Sequence, residues 1–160
     1  MKNSLDRTKP RFNVVMIEPE IGANTGNVGR TCVGLESKLH LVGKLGFSIT
    51  DKQLRRAGLD YWQYLDFVHH QTWEEWWSQV PDPSRVFFLS TKAEKSLFET
   101  SFHEGDWLVF GKETKGLDAQ VLEKFSGQVR RIPMTGPIRS LNVATAVAVA
   151  LFEGYRQLES

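Results

Sequence analysis

The chain has 160 residues, 41% hydrophobic and 24% charged, with a net charge of +1; this is one domain's worth of ordinary globular composition, long enough to bury a core. The near-neutral balance excludes a globally basic nucleic-acid binder, so any phosphate affinity must come from local clusters. No apolar run is long enough to span a membrane, Met1 to Arg11 lacks the apolar region of a signal peptide, and a lone Cys32 rules out an internal disulfide framework and fits a reducing cytoplasm.

The first ten or so residues read as a mobile polar leader, with one domain from residue 12 to the end. Asn13-Val14-Val15-Met16-Ile17 predicts a buried strand, broken by Glu18-Pro19-Glu20-Ile21-Gly22. A glycine-rich helix is expected from Asn24 or Thr25, either of which could cap it. Lys38-Leu39-His40-Leu41-Val42 predicts the next strand, ended by Gly43. Asp51 to Gly58 reads as a short helix with a basic face, and Trp73 to Val80 as another, stopped by Pro81 and Pro83. Arg85 to Ser90 and Asp106 to Phe110 are apolar runs of strand length. Asp118 to Phe125 is expected to be helical, Gln128 to Ile132 a strand, and Ser140 to Leu158 a long closing helix. Strands alternating with helices argue for an α/β domain with a mostly parallel sheet and flanking helices. The last helix is almost entirely apolar from Val143 to Phe152. Its pattern leaves two readings open: a core helix of a monomer, or one that also meets a partner subunit.

Three motifs carry the chemistry. In Asn24-Thr25-Gly26-Asn27-Val28-Gly29-Arg30, the glycines Gly26, Gly29 and Gly34 cost helix stability, about 1 kcal/mol each, which suggests close approach of backbone or ligand. The Gly-x-Gly-x-x-Gly dinucleotide pattern is absent. Arg30 could grip a phosphate or carboxylate bidentately, or simply form a surface salt bridge. In Leu108-Val109-Phe110-Gly111-Lys112-Glu113-Thr114-Lys115-Gly116-Leu117, the glycine spacing imitates a P-loop, but Leu117 stands where the phosphate-binding lysine belongs. A ligand loop at the carboxyl end of a strand remains, with Glu113 as an acceptor. In Ile132-Pro133-Met134 followed by Arg139-Ser140-Leu141-Asn142-Val143-Ala144, Ser140 is a candidate N-cap and Asn142 lies in the first turn. His40, His69, His70 and His103 lack metal-ligand spacing, so no metal site is expected. Trp73, Trp76 and Trp77 are read as packing groups. Lys52, Arg55 and Arg56, with Arg130, Arg131 and Arg139, form two basic clusters that could meet phosphates.

In this order and spacing the three motifs resemble the SPOUT methyltransferases that methylate ribose 2′-hydroxyls of RNA. The resemblance runs from about Asn13 to Leu158. It is nearest to the minimal tRNA enzymes of the wobble nucleotide 34, through Glu18-Pro19-Glu20-Ile21 and Asp51-Lys52-Gln53-Leu54-Arg55-Arg56-Ala57-Gly58-Leu59-Asp60-Tyr61. It implies a C-terminal deep trefoil knot, S-adenosyl-L-methionine as cofactor, a tRNA substrate, and a cytoplasmic homodimer with the site at the subunit interface. Carried over by position, Leu89, Ser90, Thr91, Gly111, Glu113, Ile132, Met134, Ser140, Leu141 and Asn142 would contact the cofactor. Arg30 would be the main catalytic residue, with Ser140 and Asn142 orienting the reactants, and Asn24, Arg30, Arg55, Arg56 and Arg139 would meet RNA. The chain departs from the group at Thr135-Gly136-Pro137-Ile138, at Val143-Ala144-Thr145, and at Phe152, where relatives often carry Tyr. These departures bear on substrate choice more than on chemistry. Alternatives are another tRNA site or ribosomal RNA, a non-catalytic RNA-binding relative, and an unrelated nucleotide-binding module.

Overall fold

The computed structural model describes residues 9–49 and 61–159. The basic segment with Lys52, Arg55 and Arg56, and most of the N-terminal leader, lie outside the described residues. Among the described residues, six strands form one all-parallel sheet: β1 (Asn13–Ile17), β2 (Lys38–Val42), β3 (Phe67–His70), β4 (Val86–Leu89), β5 (Trp107–Phe110) and β6 (Val129–Arg130), in the order β3-β2-β1-β5-β4-β6. The α-helices among the described residues flank it: α1 (Gly22–Gly34), α2 (Trp73–Trp77), α3 (Ala119–Lys124) and α4 (Val143–Glu159). The expected parallel α/β architecture is therefore present. Among the described residues no helix is long and apolar enough to cross a membrane.

Alternation along β1 shows how the strands divide the interior. Val14 and Met16 join a core under α1 and α4 with Val28, Cys32, Val147 and Leu151. Val15 points the other way, into a core with Trp76, Phe88, Trp107 and Leu117 beneath α2 and α3. Both faces of the sheet are thus covered, which is why its strands read as continuous apolar runs. The tryptophans behave as packing groups. Trp76 is fully buried, edge-on to Trp73 at 4.8 Å and stacked in a cluster that reaches Phe88 and Phe125. Thr72 caps this short helix by accepting from the Glu75 amide.

Strand β3 was not anticipated from sequence. Its side chains are only half-buried except His70, so the run lacks the apolar continuity of its neighbours. Helix α1 starts earlier than expected, at Gly22, and neither Asn24 nor Thr25 caps it. The Thr25 hydroxyl is instead buried against the Met16 sulfur. Gly26 and Gly29 serve packing, whereas a Cβ on Gly34 would meet nothing within 4 Å. A Cβ on Gly29 would lie 3.0 Å from Leu65 Cδ2, and the Gly26 carbonyl accepts from the Tyr61 hydroxyl at 2.6 Å. Close approach there is by residues 61–65 of the chain itself, not by a ligand.

Helix α4 begins at Val143, and its cap is Asn142 rather than Ser140: the Asn142 side-chain oxygen accepts from the Ala144 amide at 2.9 Å. Asn142 thus precedes the first turn instead of lying in it. Val147, Ala150, Leu151 and Gly154 form the buried stripe of α4, at spacings of three and four residues. Phe152 lies off that stripe and is 56% exposed.

A polar line crosses the sheet interior. Asn13 donates from its amide to Gly105 O, so its Oδ1 is the acceptor for His40 Nε2 at 3.0 Å. His40 must therefore carry its proton on Nε2, and its Nδ1 accepts from His70 Nε2 at 3.0 Å. Protonating His40 would set a second N–H against the His70 donor. Burial, with His70 and Lys38 adding repulsion, pushes the His40 pKa down to about 3. A histidine depressed in the fold binds its proton more readily when unfolded. Its contribution is therefore complete above about pH 6.5 and is lost between 6.5 and about 3, at about 1.4 kcal/mol per pH unit. The imidazole resonance of His40 is expected to show no titration from pH 8 down to 4 by NMR. An inflection near 6.5 would contradict the buried line.

Candidate cofactor and RNA site

The strand order reverses between β1 and β5, and the loops after β1, β4, β5 and β6 gather at the carboxyl edge of the sheet, where open parallel sheets bind ligands. They enclose a cavity of about 540 Å³, a size suited to a nucleoside-sized ligand. All ten residues expected to hold a cofactor line it: Leu89, Ser90 and Thr91 after β4, Gly111 and Glu113 after β5, and Ile132, Met134, Ser140, Leu141 and Asn142 between β6 and α4. Asn24 of α1 also reaches it. Of the lining, Lys92, Leu122 and Ala146 lie outside the motifs and were missed by sequence reasoning. Leu122 could have been found, because with Leu117 it sits on the apolar spacing that carries the second loop into α3.

Residues 111–116 fold back on themselves, with Lys112 bridging Gly116 and the Gly116 amide donating to Lys112 O at 2.8 Å. The doubling-back presses Gly111 onto Gly116 and Leu117, and a Cβ at Gly111 would lie 2.1 Å from Gly116 C. This glycine is needed for the shape of the loop before any ligand enters.

Glu113 is an acceptor, as expected, and backbone amides of the chain already use it. Its carboxylate accepts from the backbone amides of Glu20 at 2.8 Å and Ile21 at 3.2 Å, at the amino end of α1. It serves the otherwise unpaired donors there, where helix polarity also favours a negative charge. Asn24 Nδ2 lies 3.5 Å from the same carboxylate, and Asn24 Oδ1 accepts from Asn142 Nδ2 at 3.1 Å. The three motifs are joined by this line of amides and carboxylate, and little acceptor capacity on Glu113 is left over. Ser140, by contrast, is exposed and makes no side-chain hydrogen bond among the described residues, so its hydroxyl faces the cavity uncommitted.

The two basic groups assigned to RNA within the described residues are both available. Arg30 is exposed on α1, its guanidinium 5.4 Å from the Tyr61 ring centre. No carboxylate pairs with it among the described residues. It does not line the cavity; it stands six positions beyond Asn24, about 9 Å along the helix. Arg139 is exposed and likewise unpaired among the described residues. Arg130 is the correction in the second cluster. It is buried and donates to Thr100 Oγ1, Gly127 O and Val129 O, so it fixes the end of β6 and cannot meet a phosphate. Among the described residues no group of His, Cys, Asp and Glu could hold a metal ion.

The cavity's chemistry fits S-adenosylmethionine. Leu89, Phe110, Leu117, Leu122, Ile132 and Leu141 offer apolar surface for a flat base, while Ser90, Thr91 and Ser140 offer hydroxyls. Lys92, Lys112 and Lys115 stand in the lining for a carboxylate.

An all-parallel α/β sheet with a cavity at its carboxyl edge, built from the loops after β1, β4, β5 and β6 and flanked by an exposed arginine, defines a cofactor-binding α/β protein. The chain belongs to the SpoU methylase family, matching the SpoU rRNA Methylase family over residues 11–152. A tRNA (cytidine(34)-2′-O)-methyltransferase from Burkholderia ambifaria is 45% identical over 148 residues, spanning 91% of this chain and 95% of its own. A solved structure described as giving insight into 2-OH methylation of C/U34 on tRNA superposes with a TM-score of 0.89 at 44% identity, covering 98% of this chain and 96% of the other. The AviRb methyltransferase of Streptomyces viridochromogenes, in complex with AdoMet, shares the fold with a TM-score of 0.83 at 23% identity, over 100% of this chain and 63% of its own.

Proposed function

We propose that this protein transfers a methyl group from S-adenosylmethionine to the ribose 2′-hydroxyl of nucleotide 34 in tRNA. The observation that carries the reading is the convergence of all three motifs on one cavity, with an exposed Arg30, unpaired among the described residues, on the helix that reaches it. Relatives bearing that activity match nine-tenths of the chain.

The cofactor, held by the loops after β4, β5 and β6, supplies an electrophilic methyl on a sulfonium. The protein's part is alignment and help with one proton. Arg30 holds the phosphate next to the reacting ribose; with a pKa above about 12 it is a poor base alone, so positioning is its main role. The Ser140 hydroxyl is free to orient the reacting hydroxyl or the cofactor. Asn142, engaged by Asn24 and the first turn of α4, acts by holding the loops together.

The distance of Arg30 from the cavity favours a site completed by a second copy of the chain, a homodimer. Phe152 and Ile138, 56% and 66% exposed, are large apolar groups suited to that contact. Residues 131–142 between β6 and α4 are read as the closing segment of a trefoil knot, a rare exception to unknotted topology. A tRNA substrate supports a cytoplasmic location. Arg30, Arg55, Arg56 and Arg139 would meet phosphates, so tRNA affinity is expected to fall with salt at a log–log slope of roughly −3 for four contacts to a single-stranded loop. A flat response in filter binding between 50 and 300 mM salt, as a roughly chosen range, would remove the phosphate contacts.

Labelled S-adenosylmethionine incubated with total tRNA, and separately with ribosomal RNA, tests the reading. Label is expected in tRNA and maps to nucleotide 34. Label confined to ribosomal RNA would move the substrate, and label in neither would count against the activity.

A further inference from the structure

The loop after β1 and the loop after β5 bond each other reciprocally. Glu20 accepts from the Thr114 amide at 3.0 Å and from the Thr114 hydroxyl at 2.8 Å. In return, Glu113 accepts from the Glu20 and Ile21 amides at 2.8 and 3.2 Å. Lys112 adds an ion pair to Glu18 at 3.6 Å. The Thr114 bonds hold the Glu20 carboxyl below the usual carboxylate range, so it is charged at neutral pH and its bonds are charge-assisted. The loop after β1 is itself pinned from the other side, because the Gly46 amide donates to Pro19 O at 2.9 Å and leaves no room for a Cβ against Glu20.

One end of this clasp is the cavity-lining turn 111–116. The other end is the start of α1, a continuous helix of thirteen residues that carries Arg30. The geometry points to Glu20 as a positioning residue: it couples the cofactor loop to the Arg30 helix, so that filling the cavity steadies the arginine. The coupling rests on the methyl-transfer reading of the cavity. Two sites linked through one shared element influence each other reciprocally. The cofactor therefore prepares the RNA-holding side before RNA arrives.

Amide hydrogen exchange on the full chain, with S-adenosylmethionine as the probe, reads the coupling. In the wild type, saturating cofactor is expected to slow exchange both in residues 111–116 and in residues 20–26. In Glu20→Ala the loop stays protected, while protection of residues 20–26 falls about threefold or more. The kcat for tRNA falls about tenfold while KM for the cofactor moves about twofold, the size of effect two charge-assisted hydrogen bonds can have. Glu20→Gln, which keeps an acceptor for Thr114, restores the coupling. Full protection of residues 20–26 in Glu20→Ala, or a Gln variant that behaves like Ala, would overturn the proposal. A wild type that binds no cofactor would sink the methyl-transfer reading, and the clasp would then be judged on the protein alone. There, faster exchange of both segments in Glu20→Ala upholds the clasp, and unchanged exchange overturns it.

Discussion

Arg30→Ala is expected to lower kcat for methyl transfer to tRNA by about a hundredfold or more, while affinity for S-adenosylmethionine stays within about twofold. The magnitude is that of removing one preorganised charged donor from a reacting centre. The separation of the two effects follows from the geometry. Arg30 is exposed, lies outside the cavity lining, and has no carboxylate to neutralise it among the described residues. Removing it leaves no buried group orphaned, so folding should be nearly untouched. Single-turnover transfer and calorimetry on the same variant check the two halves. Near-normal turnover would remove Arg30 from the reaction. Lost cofactor binding would mean that the helix, not the guanidinium, was damaged.

The second large effect is at Gly111. A methyl group there would sit 2.1 Å from Gly116 C and 2.3 Å from Leu117 N, both backbone atoms that cannot swing aside. Gly111→Ala must therefore open the turn 111–116, whose ends are held by the Lys112–Gly116 bridge. Overpacking of this kind costs about 1–3 kcal/mol of stability. Cofactor affinity should suffer more, because the turn forms a wall of the cavity: a loss of about a hundredfold or greater by calorimetry, with the sheet still folded by circular dichroism. Wild-type affinity in Gly111→Ala would show that the cofactor does not use this loop.

Most of the fold was legible from sequence, because buried parallel strands announce themselves as apolar runs. Five of the six described strands lie where strands were read, and β1 and β2 coincide residue for residue. Strand β3 escaped because Phe67–His70 is half-buried and ends in two histidines, one of them paired inside the sheet. The cavity lining was legible through the motifs' order, and every expected cofactor residue reaches it. What sequence could not show was how polar residues would be spent. Glu113 and Asn24 are bonded across 89 residues, and Asn24 and Asn142 across 118, so local spacing carried no trace of their partnership. Arg130 looked like its neighbours Arg131 and Arg139 in a basic cluster, yet it is buried under Thr100 and two carbonyls. Ser140 had the right chemistry for a cap, and Asn142, two residues on, took that role.

The most direct test of the central claim removes one oxygen from the substrate. Transfer of labelled methyl should be measured on a tRNA carrying 2′-deoxyribose at nucleotide 34 alone, beside the all-ribose tRNA. Transfer to the all-ribose tRNA and none to the deoxy substrate is the expected pair of results. Equal transfer to both would place the methyl on a base or on another ribose and contradict the account.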